Sequence, residues 1–186
     1  MSFFDRDRDG SITLEELLRG LRGDMGPRRL GLIRHVYSVL DKNGDGSVTV
    51  EDLRSTYDCS WHPEMRSGQK TEHQVLREFL SQWDTVKRDG IVTEDEFIDY
   101  YRDVSASIDS DDQFELVIRN AWHLSGGQGQ CKASANLHAL VTHADGRQSV
   151  VEVKDDLGLR RGDPDALRER LRRQGLGGDD VARVDT

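Results

Sequence analysis

Asp5, Asp7 and Asp9 alternate along the opening stretch DRDRDGSITLEE, and oxygen-bearing side chains follow at Ser11, Thr13 and Glu16. The spacing returns in DKNGDGSVTVED with Asp41, Asn43, Asp45, Ser47, Thr49 and Asp52. Donors at positions 1, 3, 5, 7, 9 and 12 of a loop suit a hard cation such as Ca²⁺, which gathers roughly six to eight oxygens at about 2.3–2.6 Å. Position 7 contributes its backbone carbonyl, and position 12 closes the shell with a two-oxygen carboxylate. Gly10 and Gly46 occupy position 6, where the tight turn requires positive φ.

A third stretch, TVKRDGIVTEDE, aligns on its glycine but opens with Thr85, Val86 and Lys87, which are poor ligands. Moving the start back to Asp84 makes a longer loop in which Asp84, Asp89 and Glu96 could still meet one ion. The alternative is a non-binding loop kept only to pair with the second. The repeated design is that of the EF-hand calcium loop. Its position-8 residues Ile12, Val48 and Val92 are expected to form the short β-bridges that join paired loops. Thr13 with Glu16, and Thr93 with Glu96, also spell capping boxes that start the exit helices. Asp52 is one methylene shorter than Glu. That predicts weaker Ca²⁺ binding at 41–52, or a smaller six-coordinate shell that Mg²⁺ fills.

These loops need helices on both sides. Leu30, Ile33, Val36, Tyr37 and Leu40 make one apolar helical face ahead of the second loop. Leu53 and Tyr57 continue a helix beyond it that stops near Cys59, and HPEMRSG (62–68) reads as a connecting loop. Thr71 and Gln74 cap a helix whose buried stripe is Val75, Leu76, Phe79, Leu80 and Trp83. Phe97, Tyr100 and Tyr101 follow the third loop. Ser110 starts a closing helix with Phe114, Val117, Ile118, Ala121 and Trp122 on one face. That stripe is read as core packing, with a plug between the paired hands as the sharper alternative. Loops two and three therefore form a pair and loop one is left over. Only Met1 to Phe4 precede it, where an entering helix should stand.

The net charge is −9, and Ser125–Thr186 contains as many basic as acidic residues, so the acidity lies entirely in 1–124. An acidic body suits cations and not phosphate backbones, which argues against nucleic acid. Cys59 and Cys131 are far apart, have no metal-type spacing and imply no disulfide framework, so a reducing compartment is expected. No apolar run approaches a membrane span. A cytoplasmic protein is expected.

Residues 1–124 resemble the calcyphosine family of EF-hand proteins, on LDKNGDGSVTVEDLRSTY, HPEMRSG, the longer third loop, DEFIDYYRDVSASID and the closing AWHL. The resemblance implies cytosolic, non-enzymatic calcium-binding proteins of four hands, frequent in ciliated cells. The hands here match the family's second, third and fourth, and the residues after AWHL depart from it. Loop 5–16 is thus expected to bind Ca²⁺ poorly until a partner or second copy supplies a hand.

The expected organisation is mainly α: EF-hand helix–loop–helix repeats, then a small α/β module. The first hand spans 1–24 with a truncated entering helix, and the paired hands and closing helix span 25–124. SGGQGQ opens a flexible linker, 125–136, and 137–186 is a β-α-α-β docking module. In that module LHALVTH is a strand and ADGR a turn. QSVVEVKDDLGL could be a second hairpin strand, but Ser149 and Glu152, with Val150, Val153 and Leu157, favour a short helix; Asp163, Pro164 and Gly175 bound a second one carrying Leu167 and Leu171. The arginines of RERLRRQ point around the helix as a solvated face, and His138, His143 and Cys131 lack a zinc spacing.

No nucleophile–base set or phosphate loop is present, so catalysis is not expected. The reading is a Ca²⁺-responsive module for one or a few dedicated protein partners, since three methionines do not make an adaptable groove. The alternative is a constitutive part of a ciliary or flagellar microtubule (axonemal) assembly, with ions holding the fold.

Overall fold

The computed structural model describes residues 10–57, 59, 62–85, 87–129, 136–143, 145–159, 163–176 and 181–185. Helix α1 (Leu14–Leu21) begins at Thr13, whose hydroxyl caps the Glu16 amide while its own N–H donates to the Glu16 carboxylate. Helix α2 (Pro27–Leu40) opens on a proline, which has no N–H to waste in the first turn. It is followed by β1 (Ser47–Val48), α3 (Val50–Thr56), α4 (Pro63–Arg66) and α5 (Glu72–Leu80). Strand β2 (Val92–Thr93), α6 (Glu94–Ala106) and α7 (Asp111–Trp122) complete the helical body. The Thr71–Gln74 and Thr93–Glu96 capping boxes both form, and Ser110 caps α7. HPEMRSG is not wholly irregular: Pro63 at the first helical position makes one turn, α4.

Strands β1 and β2 pair antiparallel, Ser47 opposite Thr93 and Val48 opposite Val92, so loops two and three join back to back. Beneath this bridge lies one aromatic cluster. Trp83 stands 5.2 Å from Phe97 and 5.7 Å from Trp122, ring centre to ring centre. The Trp122 indole N–H donates to Tyr101 at 2.8 Å, so its one polar atom is satisfied. Burying each such ring contributes roughly 2–3 kcal/mol. Helix α7 is part of this core: Phe114, Ile118 and Trp122 are buried, while Val117 and Ala121 of the expected stripe face outward. The core-packing expectation for the closing helix holds for those three residues.

Arg29 pins the turn between α6 and α7. Its guanidinium donates to the Ser105, Ile108 and Asp109 carbonyls, the Ser105 hydroxyl and the Asp111 carboxylate, and it lies 4.9 Å above the Phe114 ring.

The C-terminal module is β-β-α-β, and here the expected β-α-α-β order is corrected. Strand β3 (His138–His143) lies between β4 (Gln148–Glu152) and β5 (Val181–Asp185), all antiparallel, with α8 (Pro164–Arg173) following β4 in the chain. Where a helix is expected from Ser149 to Leu157, strand β4 runs as far as Glu152 and the chain then turns without forming a helix. The β-branched Val150 and Val151 join the ladder to β3 across the Asp145–Gly146 turn, the Val153 N–H donates to the Leu137 carbonyl just before β3, and that pairing outweighs the local capping signal. Ser149 bonds His143 instead, and Glu152 accepts from Asn136. Ala139, Val141, Val153, Leu167 and Leu171 form its own small core.

This module is docked on the helical body. Leu157 packs against the main core, where Leu124 is buried. Asp156 is enclosed, accepting from the Leu137 N–H at 2.8 Å and pairing with His123 Nδ1 at 2.8 Å. The Ser125 N–H donates to Asp155, and its hydroxyl accepts from the Asp155 N–H and Asn136. Both described ends of the expected linker are therefore tied down; 130–135 lie outside the described residues.

The hydrogen bond to Asp156 raises the His123 pKa above the ordinary 6.5, and partial burial opposes it. A raised folded-state value stabilises the docked form fully below the unfolded value and loses that contribution as pH climbs through the folded one. Docking should therefore weaken as pH rises from 6.5 upward. Hydrogen exchange at the Leu137 amide against pH would show it, and His123→Gln should flatten the profile.

Candidate metal loops

Loop 41–52 is closed by its own side chains. One Asp41 oxygen accepts from the Gly44 N–H at 2.8 Å and from that of Asp45, and the other accepts from Gly46 at 2.9 Å. The Asn43 oxygen accepts from the Asp45 N–H, and Asp45 accepts from Ser47. Gly46 has φ +82°, the turn that its position demands. Thr49 donates from both its N–H and its hydroxyl to one oxygen of Asp52, which is buried at the start of α3. All six expected ligand residues thus border one loop, bent as a cation-binding loop must be.

Tyr37 contributes something the sequence reading missed. It appeared only as one member of an apolar face. Its hydroxyl lies 2.9 Å from both the Gly46 and the Val92 carbonyls, so it ties loops two and three together from below. Burial pushes this hydroxyl's pKa up, which keeps it a donor. A tyrosine among aliphatic residues one turn before a ligand loop was the available signal.

Loop 84–96 takes the longer register. Asp84 Oδ2 accepts from the Gly90 N–H at 2.8 Å, the counterpart of the Asp41–Gly46 bond. Asp89 accepts from Ile91, and Glu96 is buried and holds both Thr93 donors on one oxygen. Gly90 has φ +83°, and the extra residue is absorbed by Arg88 at φ +51°. Val86 lies outside the described residues. Asp84 Oδ1 is buried and has no hydrogen-bond partner among the described residues. A buried carboxylate oxygen without donor or cation is costly, so the donor set fits a cation better than an empty interior.

Of the first loop, Asp5, Asp7 and Asp9 lie outside the described residues. Gly10 adopts φ +87°, and Thr13 and Glu16 form their capping box. Ile12, expected to bridge, is 42% exposed and belongs to no described strand, because β1 and β2 are already paired with each other. Leu14, Leu18 and Leu21 are exposed as well. The hand is still attached, since Arg22 reaches Asp99 and Asp103 of α6.

Among the described residues, no three acidic, His or Cys side chains already stand as a closed cage. An EF-hand shell is not of that kind, since it mixes carboxylates with amide, hydroxyl, carbonyl and water oxygens. His138 and His143 join no metal cluster among the described residues, and Cys131 lies outside them. The α8 arginines are laid along the surface, Arg168 with Asp165 and both Arg172 and Arg173 with Glu169. No helix among the described residues is long and apolar enough to cross a membrane.

Comparison with known proteins agrees with this geometry. The EF-hand domain pair matches residues 32–102, and a single EF hand matches 1–21. Crustacean calcium-binding protein 23 of Faxonius limosus is 37% identical over 122 residues, covering 65% of this chain and 60% of that one. The protein of the same name from Homarus americanus is 32% identical over 114 residues, covering 54% and 80%. The 16 kDa calcium-binding protein of Schistosoma mansoni is 34% identical over 100 residues, covering 53% and 64%. The chain belongs to the EF-hand calcium-binding proteins.

Proposed function

We propose that the chain binds Ca²⁺ through loops 5–16, 41–52 and 84–96 and acts as a calcyphosine-type, non-enzymatic, Ca²⁺-responsive module for dedicated protein partners in the cytoplasm. The observation that carries the cation reading is the buried oxygen of Asp84, without a hydrogen-bond partner among the described residues, in a loop otherwise closed like 41–52. The ligands are Asp5, Asp7, Asp9, Ser11, Thr13 and Glu16; Asp41, Asn43, Asp45, Ser47, Thr49 and Asp52; and Asp84, Asp89 and Glu96. Each supplies oxygen only, the chemistry a hard divalent cation prefers. The calcyphosine assignment is supported by DEFIDYYRDVSASID and AWHL, and a protein partner by the exposed leucines of α1.

In loop 41–52 the short Asp52 carboxylate leaves room for a six-coordinate shell, so Mg²⁺ competes there. Asp52→Glu should raise Ca²⁺ affinity by about tenfold and lower the Mg²⁺ preference, as read by calorimetric titration with each ion. Unchanged affinity and selectivity would refute the role given to Asp52. A constitutive structural role, including one in an axonemal array, is the outcome favoured if native partners co-purify equally with Ca²⁺ and with chelator.

A further inference from the structure

The C-terminal module meets the helical body at the second hand. Gly158 has φ +81°, and a Cβ on it would stand 2.6 Å from the Thr56 carbonyl oxygen, so only glycine permits the approach. Thr56 is the last residue of α3, and its hydroxyl donates to the Asp52 carbonyl at 2.8 Å, one turn back at the loop's closing position. A cleft of about 270 Å³ between the two bodies is lined by Asp41, Lys42 and Thr56 on one side and by Asp155, Leu157 and Arg170 on the other. The residue that opens loop 41–52 and the helix that leaves it therefore both border the module.

We propose that the C-terminal module is a built-in buttress of the second hand, fixing α3 so that the short Asp52 carboxylate stays within reach of a cation in loop 41–52. This rests on the reading of that loop as a cation site. Glu96 spans the corresponding distance in the third loop by its own length, whereas Asp52 depends on where α3 is held. Leu157 in the main core and the His123–Asp156 pair set that position, and Gly158 presses on the helix end. The coupling is reciprocal: a cation in loop 41–52 tightens docking of the module by the same factor.

The test is a Ca²⁺ titration of the full chain followed by amide NMR. The Gly46 N–H donates to Asp41 and the Gly90 N–H to Asp84, so each amide reports its own loop. Gly158→Val, and independently Leu157→Ser, should each raise the Ca²⁺ concentration that half-saturates Gly46 about tenfold, with a smaller change at Gly90. Adding Asp52→Glu to either variant should recover most of the loss, because the longer side chain no longer needs the buttress. A Gly46 midpoint unchanged in both variants, or a loss that Asp52→Glu leaves in place, overturns the buttress alone. A wild-type Gly46 amide that ignores Ca²⁺ overturns the cation reading of the loop and the buttress with it.

Discussion

Asp84→Asn should be at least as stable as the parent chain in chelator and should lose much of the stabilisation that Ca²⁺ confers. The two halves of this result have one cause. Without a cation, Asp84 Oδ1 is a buried oxygen with no donor among the described residues, and removing its charge relieves that cost. With a cation, the same oxygen is the one free to coordinate, because Oδ2 is engaged by the Gly90 N–H. A site saturated about a hundredfold above its Kd stabilises by about 2.7 kcal/mol, so losing it should remove roughly 5–10 °C from the Ca²⁺-dependent rise in Tm. Thermal unfolding in Ca²⁺ and in chelator measures both halves. A variant that keeps the full Ca²⁺ shift would mean that loop 84–96 serves only to pair with loop 41–52.

Arg29→Met should destabilise the chain by about 3–5 kcal/mol, equally with and without Ca²⁺. Methionine replaces the stem and keeps contact with Phe114. It leaves the Ser105, Ile108 and Asp109 carbonyls without the guanidinium that joins α2 to the α6–α7 turn. The drop corresponds to roughly 10 °C in Tm for a chain of this size, and urea unfolding would give the free energy directly. A loss below about 1 kcal/mol would show that solvent satisfies those carbonyls.

Much of the candidate site was legible before the fold, because calcium-loop chemistry is local. Oxygen donors at fixed spacing, glycine at position 6 and threonine three residues before an acid require only the backbone between them. Loop 41–52 accordingly closes on its own amides, and the Thr13, Thr71 and Thr93 caps form where their sequences place them. The third loop was ambiguous in sequence, since Thr85, Val86 and Lys87 break the pattern. The Asp84–Gly90 bond settles its register and shows where the extra residue goes.

What failed to be legible is long-range. From Ser149 to Leu157, a capping signal and an i, i+3, i+7 pattern suit a helix, and they compete with the hairpin that the strand LHALVTH and its Asp-Gly turn offer. The ladder from His138–Glu152 to Thr142–Gln148 decides for strand as far as Glu152, because several bonds to a neighbouring strand outweigh one cap. Tyr37 and Arg29 were visible only as a face residue and a charge. Their roles depend on carbonyls far along the chain.

By itself, then, the sequence determined which ion chemistry the loops can do, where their exit helices start, and that a module follows the hands. Those properties are set by side chains within one turn of each other. The tertiary structure alone decided that, among the described residues, Asp84 lies buried with one oxygen lacking a hydrogen-bond partner, that Ile12 joins no strand, and that Gly158 meets the helix leaving Asp52. Each of these depends on which distant surface excludes water from a residue, and spacing along the chain carries no information about that.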